Sequence, residues 1–247
     1  MAIYEDGKLK GKLGSVVYRT VNGKTVVQAY PKRPKDGYPT TKHNVQFGVA
    51  ARAASGMYRQ LKDFALNLTM RNLHSSLNGL FIREFKHLRP AAVSERWALV
   101  PGSLDLQVGR RSWLEDLVES EIVMRIKDTT CQLRIPPLNL HGGRFSKYRI
   151  WSEVQEMELA FTLLHYDFET DSASVVARWI SGRFPKNSVP GAVDLDCDLL
   201  NIDGDLIENG LLLGCVGLRL FASETSDSYL NTSGFNPFSI VGVWAKG

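Results

Sequence analysis

Apolar and polar positions follow two different rhythms along this chain, and the rhythm changes near Pro90. The runs Val16-Val-Tyr-Arg-Thr-Val and Lys24-Thr-Val-Val-Gln-Ala flank Asn22-Gly23, a dipeptide favoured in two-residue type I′ hairpin turns because both of its residues tolerate positive φ. Pairing across that turn sets Thr20 opposite Thr25, Tyr18 opposite Val27 and Val16 opposite Ala29. The predicted hairpin has one mostly apolar face, and its other face carries Val17, Arg19, Val21, Lys24, Val26 and Gln28. A two-stranded hairpin is marginal in water and leaves two edges unpaired, so the pattern asks for a partner in the body or in another subunit. The first twelve residues, with Lys8, Lys10 and Lys12 spaced by Gly and Leu, are expected to be a flexible basic lead-in.

Pro31-Lys-Arg-Pro-Lys-Asp-Gly-Tyr-Pro is a basic connector whose prolines continue neither a central strand nor a helix. Beyond it, Phe47, Ala50, Ala54, Met57, Leu61, Ala65 and Leu68 recur at three- and four-residue spacings and predict an amphipathic helix over 41–66. Leu73, Leu77, Phe81 and Phe85 form a second stripe, predicting a helix over 71–88 that packs antiparallel to the first. Its Arg83, Lys86 and His87 fall where the helix dipole favours cations.

After Pro90 the texture is that of short strands separated by Gly, Pro, Asn or Asp. Strands are expected at 104–108, 121–126, 131–135, 149–154, 157–168, 174–180, 194–200 and 211–222, with a short helix at 112–119. Such a series argues for a sandwich or barrel. The fold class expected is therefore α+β: a basic hairpin arm and connector over 1–39, a helical hairpin over 40–91, and a β-sandwich-like body over 92–247.

Charge sharpens this division. Residues 1–90 hold 16 Lys and Arg against 5 Asp and Glu, a net of +11, whereas residues 91–247 hold 14 against 21, a net of −7. A basic arm on an acidic body can neutralise the phosphates of a polyanion or dock on the acidic surface of another copy. The candidate contact residues are Lys8, Lys10, Lys12, Tyr18, Arg19, Lys24, Lys32, Arg33, Lys35 and Lys42.

Catalytic and cofactor motifs are missing from the sequence. It has neither a G-x-x-x-x-G-K-[ST] nor a G-x-G-x-x-G phosphate loop, and no G-x-S-x-G elbow. His43, His74, His87, His141 and His165 are scattered singly, without the spacing of a helix-borne metal site. Cys131, Cys197 and Cys215 have no C-x-x-C spacing and are read as small buried hydrophobes. Asp194, Asp196 and Asp198 alternate along one strand and are read as a solvated outer face, since Leu199 stands where a calcium loop needs glycine. No metal or cofactor is expected, and Trp151 and Trp179 are assigned to the core.

The apolar stretches are broken well before the roughly 18 residues of a membrane span. The N-terminus places Glu5 and Asp6 where a signal peptide needs positive charge. A chain kept in the cytoplasm or built into a particle is expected.

Gly11-Lys-Leu-Gly-Ser-Val-Val, Gly23-Lys-Thr-Val-Val, Pro31-Lys-Arg-Pro-Lys and Thr40-Thr before Gln46-Phe47 resemble the N-terminal signature of an uncharacterised bacterial family. That signature is a G-K-x-G hairpin, a basic stretch and a T-x-x-Q helix, followed by a β-rich half. The resemblance covers about the first 65 residues. It implies a two-part architecture and brings no catalytic residue with it.

The function expected is that of a non-catalytic structural protein, such as a virion, tail or filament component, that binds neighbouring subunits through its basic arm. The alternative is a non-specific nucleic-acid-binding or packaging protein using the same arm.

Overall fold

The structure, a computed structural model, describes residues 2–5, 8–13, 16–21, 24–29, 42–66, 73–85, 97–100, 114, 117–118, 120–138, 149–188, 191–201, 203–232 and 235–246. The chain divides into two compact units, residues 1–42 and 43–247.

The first unit is an antiparallel meander of β1 (Ala2–Glu5), β2 (Lys8–Leu13), β3 (Val16–Val21) and β4 (Lys24–Ala29). The register expected for the hairpin is the one observed, with Thr20 against Thr25, Tyr18 against Val27 and Val16 against Ala29. The segment expected to be a flexible lead-in is instead β1 and β2, so the lone hairpin becomes a four-stranded sheet. The reason can be read in the sequence between the strands. Glu5 pairs with Lys8, Leu13 with Val16 and Val21 with Lys24. The two residues between each pair are Asp6-Gly7, Gly14-Ser15 and Asn22-Gly23, all dipeptides of two-residue hairpin loops.

The second unit runs α1 (Lys42–Phe64, of which Lys42 falls in the first unit), α2 (Leu73–Phe85), β5 (Ala98–Leu99), β6 (Val123–Lys127), β7 (Thr130–Ile135), α3 (Arg149–Glu153), β8 (Glu156–Asp167), β9 (Ser172–Ile180), β10 (Phe184–Pro185), β11 (Val193–Asp198), β12 (Gly210–Phe221) and β13 (Phe238–Lys246). Its antiparallel strands form two sheets, and the fold is α+β. In the central sheet β8, β12, β13 and β5 lie side by side, with β9 and β10 on the free side of β8. The smaller sheet has the order β11-β7-β6.

Alternation along β8 and β12 sends side chains to two separate cores. Leu164, Tyr166, Leu211, Leu213 and Cys215 pack with Ala50, Ala54, Met57 and Leu61 of α1 and Leu77 and Phe81 of α2. Leu159, Phe161, Leu163, Leu212, Val216 and Leu218 pack instead with Met124, Cys131, Leu133 and Ile135 of the smaller sheet and with Trp151. The segment read as a helical hairpin therefore shares its core with the strands that follow it. Covered on both faces, β12 is apolar throughout except at Arg219, the composition of a doubly buried strand. Gly214 pairs with Gly242 where β12 and β13 slip by one residue. A Cβ at Gly214 would collide with the Met124 thioether, and one at Gly242 with the Trp244 ring, so glycine is what lets the layers meet at the bulge.

Two sequence expectations change, and two others fall wholly or mostly outside the described residues. Residues 149–154 form the single-turn helix α3, not a strand. One helical turn carries Trp151 and Val154 to the same side, where both are buried, and Arg149 reaches Glu153 across i,i+4 at 3.7 Å. The strand β13 was not anticipated, because Phe238-Ser-Ile-Val-Gly-Val-Trp-Ala is a continuous apolar run without alternation. The strand expected at 104–108 lies outside the described residues. Of the helix expected at 112–119 only Leu114, Leu117 and Val118 are described, with Leu117 N donating to Leu114 O at 3.0 Å.

Candidate interaction surface

The meander sorts the candidate residues by face. Lys12 pairs with Val17, Val17 with Gln28, Arg19 with Val26 and Val21 with Lys24. With side chains alternating every residue, this register assigns Arg19 and Lys24 to one face of the sheet, while Lys8, Lys10 and Lys12 are placed as residues of β2. The opposite face takes Leu13, Val16, Tyr18, Val27 and Ala29. Arg19 and Lys24 are exposed, and Tyr18 is half-buried. Lys42 is the first residue of α1, whereas Lys32, Arg33 and Lys35 lie outside the described residues.

Described side chains on the apolar face are open to solvent. Leu13 is 55% exposed and Val27 is 56% exposed, and all six residues of β4 are exposed. Fully burying a Val or Leu side chain is worth about 1.5–3 kcal/mol, so this surface holds unrealised stabilisation. The outer strands β1 and β4 each pair with one neighbour, which leaves backbone donors and acceptors along two edges.

In the second unit the polar groups are organised as struts. Glu158 lies between two guanidinium groups, 3.4 Å from Arg183 Nε and 3.7 Å from Arg219 Nη1. Arg183 covers the Phe221 ring at 3.9 Å and donates to Glu224 O at 2.7 Å. One carboxylate between two cations is a charge network tying the end of the central sheet to its loops. Asp171 plays a similar part, accepting from Tyr166 OH at 2.6 Å and pairing with Arg52 Nε at 2.6 Å. That link fastens α1 to the turn between β8 and β9. Burial and the Asp171 hydrogen bond push the Tyr166 phenol well above its ordinary range.

Asp194, Asp196 and Asp198 are exposed on the outer face of β11, the side expected from alternation. Asp194 pairs loosely with Arg134 at 3.9 Å, both side chains about 70% exposed. After β11, Asn201 Oδ1 accepts from the backbone N–H groups of both Asp203 and Asp205. Among the described residues no three His, Cys, Asp or Glu side chains gather as metal ligands. A cleft of about 320 Å³ is lined by Val118, Ser120, Glu121, Ile122, Ser239, Ile240 and Val241; its polar groups are the Glu121 carboxylate and the hydroxyls of Ser120 and Ser239.

The sequence reading missed one arrangement. Cys131 and Cys215 are buried and Cys197 is half-buried, in keeping with their reading as small hydrophobes, but Cys131 and Cys197 also stand directly opposite each other on β7 and β11. Both fall on predicted strands at inward positions. Nothing in their spacing announces that those two strands are neighbours.

Among the described residues no helix is long and apolar enough to cross a membrane. No family model matches the chain, and neither a curated protein nor a solved structure matches it.

Proposed function

We propose that this chain is a non-catalytic assembly protein, a structural subunit of a particle such as a virion, tail or filament, that binds further copies of itself through its N-terminal sheet. The observation that carries this reading is the open sheet itself, with Leu13 and Val27 more than half exposed on its apolar face and β4 exposed along its whole length. A second copy can extend such an edge by strand addition and cover such a face by stacking. The charge division, +11 over residues 1–90 and −7 beyond, adds attraction between the basic end of one copy and the acidic body of the next. The body, in which two sheets share one core, serves as a sandwich-like rigid block, working in the cytoplasm or within the particle.

The test is light scattering coupled to size exclusion over a concentration series. The chain is expected to self-associate, and Val27→Glu to return it to monomer with its circular dichroism unchanged. A monomer at every concentration would remove the self-assembly reading.

The lysine- and arginine-bearing face favours a second reading, non-specific binding of nucleic acid. Arg19 and Lys24, both exposed on the same face of the sheet, would engage phosphates. Anisotropy with fluorescent DNA or RNA is then expected to show affinity falling with salt, by a log–log slope of about −0.9 per phosphate contacted on duplex DNA. Arg19→Glu with Lys24→Glu would make that slope shallower. Absence of a salt-dependent signal decides against it.

A further inference from the structure

Cys131 and Cys197 are far apart in the chain, yet the antiparallel ladder of β7 and β11 sets them in register as a direct pair. Both occupy the inward side of the small sheet. Cys131, Leu133 and Ile135 are buried there, with Val193, Leu195 and Cys197 half-buried across from them. Two positions along, Leu199 N donates to Thr129 O at 2.8 Å. Since bonded and non-bonded pairs alternate in an antiparallel ladder, Cys131 and Cys197 form a hydrogen-bonded pair, whose Cα atoms lie about 5.5 Å apart. That separation falls inside the roughly 4.4–6.8 Å that a disulfide spans. Each thiol is the strongest influence on the titration of the other, raising Cys131 and lowering Cys197.

Access differs between the two. Strand β11 is the edge of its sheet, so Cys197 is partly open to solvent, whereas Cys131 is fully covered. Cys215 sits in the other core, with the helices, and is fully buried.

We propose that Cys131 and Cys197 are a reactive dithiol that closes reversibly to a cross-strand disulfide by exchange with a small-molecule disulfide. Cys197 is the attacking thiol. Its thiolate displaces one thiolate from the small disulfide and forms a mixed disulfide. The Cys131 thiol then loses its proton and attacks the Cys197 sulfur, expelling the second small thiolate. Two protein thiols are oxidised to one S–S bond, and one small disulfide is reduced to two thiols, which carry away both protons. The electrostatics agree with these roles. The hydrogen bond from Cys131 lowers the Cys197 thiol below its ordinary range, despite opposition from burial and from Asp196 and Asp198. The same hydrogen bond, together with burial, raises Cys131. The closed bond would fix the edge strand to its neighbour and constrain the unfolded chain over the long loop between the two residues.

The experiment treats the full-length reduced chain with oxidised glutathione under native conditions, blocks free thiols and maps the digest by mass spectrometry without reduction. The expected product is one linked pair of peptides carrying Cys131 and Cys197, lighter by two hydrogens, with Cys215 still a blocked thiol. Dithiothreitol should restore the starting mass, and the closed form should melt at a higher temperature. In Cys131→Ala, glutathione is expected to remain attached at Cys197, and in Cys197→Ala the native chain should take up none. A stable glutathione adduct on Cys197 of the unsubstituted chain, linkages that include Cys215, or no reaction at all would overturn the proposal. The first of these needs no variant and stands even if a substitution prevents folding.

Discussion

Strands β4 and β12 show what a second layer does to a sheet. Every residue of β4 is exposed, while every residue of β12 is buried except Arg219, which is half-buried. Both are paired along at least one side, but Lys24, Thr25 and Gln28 interrupt the aliphatic residues of β4, whereas β12 is apolar except at Arg219. The difference in exposure lies in what covers them. The central sheet has helices on one face and a smaller sheet on the other, and each layer removes apolar surface from water. The N-terminal meander is a single layer. Its ladder satisfies hydrogen bonds between strands, but its apolar face and outer edges remain available, which is the composition of an element completed by association.

That contrast is tested most strongly by truncating an apolar side chain in each region. Phe161 is 2% exposed between the two sheets, and Phe161→Ala is expected to cost about 3–5 kcal/mol in urea unfolding. Val27→Ala, measured on dilute monomer, is expected to stay within about 0.5 kcal/mol of the unsubstituted chain. If the two substitutions cost the same, Val27 is covered in the monomer and the meander is no open sheet.

A smaller effect is expected where α1 is fastened to the central sheet. Tyr166→Phe keeps the buried ring and its edge contact with Phe168 but removes the 2.6 Å hydrogen bond to Asp171. Hydrogen bonds to charged groups are worth about 1.5–3 kcal/mol. The low end is expected here, because Asp171 is about 38% exposed and keeps Arg52 as a partner. Hydrogen exchange should quicken in α1 and leave the small sheet unaffected. Equal acceleration in both layers would mean that the two cores do not respond separately.

The elements most legible in the sequence are those whose pattern is local. The three- and four-residue spacing from Phe47 to Ala65 marks α1, and Asn22-Gly23 fixes the β3–β4 register to the residue. Asp6-Gly7 and Gly14-Ser15 carry the same kind of signal, but lysines at alternate positions of β2 look like a solvated tail until the whole meander is drawn. The segment 149–154 misleads because Ile150 and Trp151 favour strands by composition, whereas their burial is achieved by one helical turn. Strand β13 is hidden for the opposite reason, since burial on both faces erases the alternation that identifies a strand. Arg19 and Lys24 were legible as cations, yet their sharing one face depends on the register between β3 and β4. The Cys131–Cys197 pair depends on β7 and β11 being neighbours, a non-local fact that neither strand's own residues encode.

The smallest expected effect separates the two regions by pH. His165 is 8% exposed, and its Nε2–H donates to Asn209 O at 2.8 Å. Burial lowers its pKa below the ordinary 6.5, against weaker opposition from that hydrogen bond and from Asp167. Between 6.5 and the lower folded value, the unfolded chain binds a proton that the folded chain does not. Stability is therefore complete above that window, falls as pH drops through it, and levels off once both states are protonated. Asp167 titrates outside the window, since its pKa is held below 3.8, burial being outweighed by hydrogen bonds from Glu169 N and Thr170 Oγ1. His165→Gln keeps a donor for Asn209 and removes the titration. The gap between the two chains' urea midpoints should therefore narrow, in favour of the variant, from about pH 7.5 to about pH 5.5. No histidine lies in residues 1–42, so the meander cannot supply this dependence. A gap that stays constant would mean that His165 is hydrated in the folded chain and that water reaches the end of a strand otherwise sealed on both faces.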